Sequence, residues 1–321
     1  VPFRAPSYFF AVLPVRPPAR TFEAYIFNYM GKPEYSPMKF VLPILLSAGL
    51  CILSCSEEPV PTPEEPLPED VNLPEPGPHI QQQVRQPIGR TISGFYEALP
   101  ASYFMYNKKY PLLIFITGAG ERGNGSEEEL KEVLQPYGPA KLLNAGSFPK
   151  DFLIDDRYYS FIVLSVQMTT NTRATPEDID NLISYALANY RIDESRIYMT
   201  GLSLGGGCVW DYAVHNLQYA QKLAAITPMA GKSISPSKEK AKVIADAQLP
   251  VWAFHSEFDT AVPSIYTKNY VKWINEFSPG QARMTLFPDS THICWKYSYN
   301  PTYQESDSIN VYEWMLMQKR E

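Results

Sequence analysis

The stretch Arg196-Ile197-Tyr198-Met199-Thr200-Gly201-Leu202-Ser203-Leu204-Gly205-Gly206-Gly207 decides the fold. A short apolar run ends in Gly-x-Ser-x-Gly, and Cys208-Val209-Trp210-Asp211-Tyr212-Ala213 continues it as the start of a helix. Strand, tight turn and helix in that order describe a nucleophile elbow. Gly201 and Gly205 leave room for neighbouring backbone, while Ser203 takes strained angles that lift its hydroxyl clear of the sheet. The helix N-terminus presents free N–H groups and the positive end of a dipole to developing negative charge. The pentapeptide alone is a weak signal, since glycine- and serine-rich loops produce it by chance and a plain structural turn is the alternative. Its setting between strand and helix gives it weight.

From about residue 85 to the end, strand and helix patterns alternate. Residues 89–99 and 101–106 predict an edge hairpin turning at Pro100. Residues 111–116 and 160–166 are continuous apolar runs, as expected of strands covered on both faces. Thr175-Pro176-Glu177-Asp178 opens a helix with a capping residue, proline at the first helical position and early acids. Ile179, Leu182, Ile183, Ala186 and Leu187 give it an apolar stripe. Residues 223–229, 250–255 and 282–287 read as further strands, and 237–247, 263–277 and 308–318 as helices. Repeated β-then-α units predict an α/β fold: a mostly parallel central sheet with helices on both faces and no large cap domain. Reacting groups in such sheets lie at the carboxyl ends of the strands.

That rule selects partners for Ser203. A serine hydroxyl needs a base that is neutral near pH 7, and the chain has four histidines. His79 falls in an acidic tether, His215 late on the elbow helix, and His255 at a strand end where it props the acid loop. His292 follows the final strand, the position that the chain order serine, acid, histidine gives the base. The acid follows strand 250–255, where Glu257 and Asp259 both qualify. Asp259 is preferred because Asp-Thr-Ala-Val-Pro puts it on a tight turn before the next helix; an N-cap aspartate is the other reading. Two backbone N–H groups complete an oxyanion site, one from Leu204 and one from Ala119 in the loop Thr117-Gly118-Ala119-Gly120-Glu121-Arg122-Gly123. No Gly-Lys-Ser/Thr follows that loop, so it is a poor phosphate cradle. Glu121 either fixes the loop or contacts substrate, and Trp295, with Tyr297 and Tyr299, either stacks on substrate or packs in the core. No metal cluster is visible and no cofactor is expected.

These segments together resemble an α/β-hydrolase family often labelled predicted peptidases, in the neighbourhood of prolyl oligopeptidases and carbohydrate esterases. The similar stretches are 110–123, Gly201-Leu-Ser-Leu-Gly-Gly206, Phe254-His-Ser-Glu-Phe-Asp-Thr-Ala-Val-Pro263, 292–301 and Tyr312-Glu-Trp-Met-Leu316. The resemblance implies Ser203, Asp259 and His292 as triad, Ala119 and Leu204 as oxyanion donors, and hydrolysis of carboxylic esters, with acetyl or feruloyl esters of polysaccharides as substrates. Two positions depart from the family pattern: Thr117 stands where histidine is usual, and Ser256 where glycine is usual. A peptidase with the same triad, or a polymer-binding lipoprotein with weakened catalysis, are the competing readings.

The N-terminal third reads differently. Met38-Lys39, an apolar run over 40–53 and Ser54-Cys55 form a secretory signal that resembles a bacterial lipobox, with Cys55 lipidated. The apolar run is too short for a comfortable span. Residues 1–37 are then an upstream extension, 38–55 the signal, 56–84 a Pro/Glu-rich tether and 85–321 the catalytic domain. An extracytoplasmic protein held to the outer membrane by lipid alone is the expectation. The formal net charge of −6 comes mainly from Glu57, Glu58, Glu64, Glu65, Glu69, Asp70 and Glu75. The rest is close to neutral, with no basic stripe for nucleic acid. Past Cys55 only Cys208 and Cys294 remain, as two buried thiols or one bridge.

Overall fold

The computed structural model describes residues 67–68, 72–305 and 307–321. The upstream extension, the signal with Cys55 and most of the acidic tract lie outside the described residues. The main sheet is built from β1 (Ile80–Val84), β2 (Ile92–Leu99), β3 (Tyr110–Ile116), β6 (Ile162–Met168), β7 (Ile192–Leu202), β8 (Ala225–Met229), β9 (Val251–Ser256) and β10 (Ala282–Phe287). Its spatial order is β1-β2-β6-β3-β7-β8-β9-β10. The six strands from β6 to β10 are parallel, and β2 and β1 close one edge in antiparallel pairing. A separate small hairpin joins β4 (Phe152–Ile154) to β5 (Arg157–Tyr159).

Strand alternation divides the core. On β3, Leu113 and Phe115 join a cluster with Ala140, Phe152, Phe161, Tyr198, Trp252, Tyr312 and Trp314, and the intervening Leu112, Ile114 and Ile116 are as fully buried. Successive side chains on a strand point to opposite faces, so both faces of the sheet centre are covered. The first face is closed by the β4–β5 hairpin, the helix Pro139–Asn144 and the closing helix. There Phe148 meets Tyr312 edge-on at 5.0 Å and Phe152 meets Phe161 at 5.6 Å. Each such ring contributes roughly 1.5–3 kcal/mol by leaving water. Further helices are α1 (Pro176–Asn189), α2 (Leu204–Ala213), α3 (Lys238–Asp246), α4 (Ile265–Phe277) and α5 (Val311–Leu316). α1 starts as its sequence predicts: Thr175 caps Asp178 N–H, Pro176 follows, and Ile179, Leu182, Ile183 and Ala186 face inward. Leu187 lies exposed at the edge of the stripe.

Two sequence expectations need correcting. Residues 101–106 do not form the second arm of a hairpin. Pro100 cannot donate to a ladder, and the chain folds instead into turns with Tyr103 N–H on Pro100 O and Met105 N–H on Ser102 O, both at 2.9 Å. The partner of β2 is β1, with Val84 opposite Phe95 and Ile80 opposite Leu99. That strand lies within residues 56–84, so the tether does not run to 84. Its three glutamines hid it, because an edge strand tolerates polar residues and here the amides are used: Gln81 Nε2 donates to Ala140 O at 3.2 Å and Gln83 Nε2 to Tyr96 Oη at 2.8 Å. The anchoring begins earlier still. Asn72 donates to Asp156 O and accepts from Tyr158 N–H, both at 2.8 Å, and Glu75, only 3% exposed, accepts from Ser102 N–H and Oγ, also at 2.8 Å.

If Glu75 is a clasp of the folded unit rather than a tether residue, Glu75→Ala should lower the urea midpoint. The expected loss is about 2–3 kcal/mol, the scale of charged hydrogen bonds left unmade. An unchanged midpoint would return residues 72–79 to the tether.

Candidate active site

Ser203 sits between the end of β7 and the start of α2, at φ 52 and ψ −115. A non-glycine residue there stores about 1–3 kcal/mol of strain. The packing that enforces it is the approach of α2 to the end of β3: a methyl group at Gly205 would lie 2.1 Å from Ile116 O and 2.3 Å from Thr117 O. Only glycine fits. Ser203 N–H is committed to Met229 O at 2.9 Å, and the helical ladder opens with Gly207 N–H on Ser203 O at 3.0 Å. Leu204 is the first helical residue, so its N–H has no acceptor within the helix.

His292 and Asp259 arrive from far along the chain. His292 Nε2 lies 2.8 Å from Ser203 Oγ, and His292 Nδ1 lies 2.6 Å from Asp259 Oδ2. The Asp259 side chain is fully buried, and the His292 side chain is 23% exposed. Asp259 Oδ1 accepts from Ala261 N–H at 2.8 Å and Val262 N–H at 2.9 Å, which fixes the carboxylate on its own turn. With Asp259 an obligatory acceptor, Nδ1 carries the proton and Nε2 is left bare toward the serine. The three residues named from sequence are thus brought into one hydrogen-bonded chain. Glu257, the alternative acid, points elsewhere and meets Lys268 Nζ at 3.4 Å.

The loop after β3 lies against the nucleophile. Thr117, fully buried, donates its hydroxyl to Val166 O at 2.7 Å and so pins the loop to β6. Gly118 N–H donates to Glu121 Oε2 at 2.7 Å, and Arg122 Nε donates to Ala119 O at 2.9 Å. Glu121 and Arg122 therefore brace the loop backbone. Burial pushes the Glu121 carboxyl above its ordinary value, and the Gly118 N–H opposes that shift. Gly118 N–H is spoken for; Ala119 is the next N–H along, on an exposed stretch.

Other candidates take structural places. Trp295 is 8% exposed, belongs to the core cluster and meets the His292 ring edge-on at 5.0 Å. Its ring packs in the core against His292. Tyr299 is buried with its hydroxyl 2.7 Å from Thr200 Oγ1, and only Tyr297 is exposed. His215 stacks on Tyr219 and reaches Glu177 at 3.4 Å. Cys208 and Cys294 are free and buried. The Ser256 hydroxyl is buried with no protein partner among the described residues, and nothing in the structure explains it. Among the described residues no group of three or more His, Cys, Asp or Glu is placed to hold a metal ion.

With this geometry in view, comparison with known proteins gives a consistent relation. A protein from Salmonella typhi named "Putative carboxymethylenebutenolidase" is 27% identical over 140 residues, covering 43% of this chain and 51% of that protein. Its namesake in Escherichia coli strain K12 is 25% identical over the same length, with the same shares. The match thus spans about half the length of these relatives. A solved structure, a thermostable esterase, shares the fold with a TM-score of 0.50 and 24% identity, over 75% of this chain and 63% of that one. The dienelactone hydrolase family model matches residues 156–316, half of the chain and the part that carries Ser203, Asp259 and His292. The chain belongs to the dienelactone hydrolase family.

Proposed function

We propose that this hydrolase is a serine esterase that cleaves carboxylic esters through an acyl-enzyme. The observation that carries the reading is the continuous chain Asp259–His292–Ser203, at 2.6 and 2.8 Å. As the Ser203 hydroxyl attacks the ester carbonyl, its proton passes to the bare Nε2 of His292. Asp259, already bonded to Nδ1–H, stabilises the imidazolium that forms. His292 then gives the proton to the leaving alcohol, and water repeats the sequence to release the acid. The oxyanion is held by the Leu204 N–H, backed by the α2 dipole, and by the Ala119 N–H from the loop that Thr117, Glu121 and Arg122 brace. The usual histidine at position 117 is dispensable in this scheme, because the donors are backbone groups.

For the substrate, we favour acetyl or feruloyl esters of polysaccharides. The loops around the serine carry exposed apolar side chains next to the catalytic positions, Phe258 beside Asp259 and Ile293 beside His292, which suit an acyl or aryl group. The relatives' name points to a lactone, an ester of the same bond class. The lipobox-like Cys55 supports an extracytoplasmic, lipid-tethered location, where polymers are met.

Four measurements test the reading. A fluorophosphonate probe should label the protein, and Ser203→Ala should abolish labelling; an unlabelled wild type would point to a binding protein. Asp259→Asn should lower kcat by about 10³- to 10⁴-fold with the fold intact, by analogy with loss of the correct histidine tautomer in triad enzymes. A methyl group at Gly118 would lie 2.8 Å from Leu202 Cδ1 and 2.9 Å from Glu121 Oε2. Gly118→Ala should therefore displace the oxyanion loop and cost at least about tenfold in kcat/KM. A panel of acetyl, feruloyl, lactone and aminoacyl-amide substrates names the bond, and turnover of the amide alone would make the enzyme a peptidase.

A further inference from the structure

A second histidine is built into the acid turn, and the proposed esterase chemistry does not use it. His255, the penultimate residue of β9, is completely buried. Its Nε2 lies 2.8 Å from Val262 O and its Nδ1 2.8 Å from Thr267 Oγ1. A carbonyl only accepts, so Nε2 carries the proton, and Nδ1 accepts from the threonine hydroxyl. Burial keeps the ring below its ordinary pKa, with the Val262 carbonyl and Asp259 acting the other way. The ring is thus a neutral, single-tautomer strut between the end of β9, the turn that follows it and the first turns of α4.

Its position matters more than its burial. The turn from Asp259 to Val262 is held on one side by Asp259 itself, through the N–H groups of Ala261 and Val262. His255 holds the same turn from the other side, through the Val262 carbonyl. The His255 Nε2 also lies 3.4 Å from Asp259 Oδ2, the oxygen that receives His292 Nδ1–H at 2.6 Å. Both imidazoles therefore converge on one carboxylate oxygen, one as catalytic base and the other as neighbour.

We propose that His255 is a positioning residue of the catalytic triad, fixing the Asp259 carboxylate against His292 through the Val262 carbonyl and Thr267. The inference rests on the esterase reading. Losing the strut lets the turn relax and lengthens the Asp259–His292 bond, so the imidazolium formed during attack is less well stabilised. The surrounding ionisable groups do not substitute for it. Glu257 pairs with Lys268, Cys294 is pushed up by burial and by the Asp259 and Asp289 charges and stays a thiol, and Asp289 accepts Thr291 N–H in the loop before His292.

The test compares His255→Leu with His255→Gln in the full chain, using whichever ester the wild type turns over. Glutamine keeps a donor for Val262 O and an acceptor for Thr267. His255→Leu should lower kcat by about ten- to a hundredfold, the scale of a small misplacement of a catalytic group. KM should stay near the wild-type value, the acid limb of the kcat/KM profile should move to lower pH, and the downfield proton signal of His292 Nδ1–H should weaken. His255→Gln should recover most of the rate and the signal. Circular dichroism and the thermal midpoint show whether each variant is folded. Where His255→Leu does not fold, Thr267→Val removes only the hydroxyl that donates to Nδ1 and should shift rate and profile the same way by a few-fold. A folded His255→Leu with wild-type kcat and acid limb overturns the proposal, as does a silent Thr267→Val where the leucine variant cannot be made. Full activity of Ser203→Ala would instead overturn the esterase reading beneath it.

Discussion

The approach of one glycine to two carbonyls sets the geometry of this molecule. Gly205 brings the first turn of α2 against Ile116 O and Thr117 O, where a methyl group would overlap both. With that contact made, the chain between β7 and α2 has no room for a relaxed turn, and Ser203 is held at positive φ. The same contact brings the N-terminus of α2 beside the loop that leaves β3. The free N–H of Leu204 and the backbone of residues 117–123 therefore border the Ser203 hydroxyl from two directions. Strain at the serine, dipole behind it and loop beside it follow from one close packing.

Sheet register does the corresponding work for Asp259 and His292. β9 and β10 pair in parallel with His255 opposite Leu286 and Ser256 opposite Phe287. The pairing continues past the strands, with Glu257 N–H on Phe287 O at 2.8 Å and Phe258 N–H on Asp289 O at 3.0 Å. The loop carrying Asp259 and the loop carrying His292 thus leave the sheet side by side, zipped for several residues before they diverge. Thirty-three residues separate acid from base in sequence, yet little freedom remains between them once the strands have paired. β8 completes the alignment from the other side, because Met229 O takes the Ser203 N–H.

What the sequence made legible, and what it hid, divides along physical lines. The parallel strands were visible because burial on both faces demands unbroken apolar runs, and α1 was visible because capping and periodicity agree. The grouping of Ser203, Asp259 and His292 was legible because the three lie just after strand ends in a fixed order. β1 was hidden by glutamines that an edge strand accepts and uses, and the turns at 100–106 passed for a strand because Tyr103 and Phe104 supply apolar character for packing rather than for alternation. Trp295 looked available for substrate since no local pattern distinguishes an aromatic that leans on the base from one that faces solvent; the contact with His292 is tertiary. His255 was legible as a prop of the acid loop, but its alignment with Val262 O and Thr267 was not.

Position 117 shows how the loop after β3 is held in place. A histidine there would shape the loop with a ring; this chain uses a hydroxyl bonded to Val166 O, so the loop's first residue is tied to β6. Glu121 then returns to Gly118 N–H within the same loop, and Arg122 spans from Ala119 O to Thr172 O. The two side chains hold opposite ends of the Gly118–Ala119 peptide region, one through its N–H and one through its carbonyl. Three unrelated side chains, Thr117, Glu121 and Arg122, thus hold the backbone of this loop. Thr117 anchors the start of the loop, while the bonds nearest the Ala119 N–H come from Glu121 and Arg122 within the loop itself.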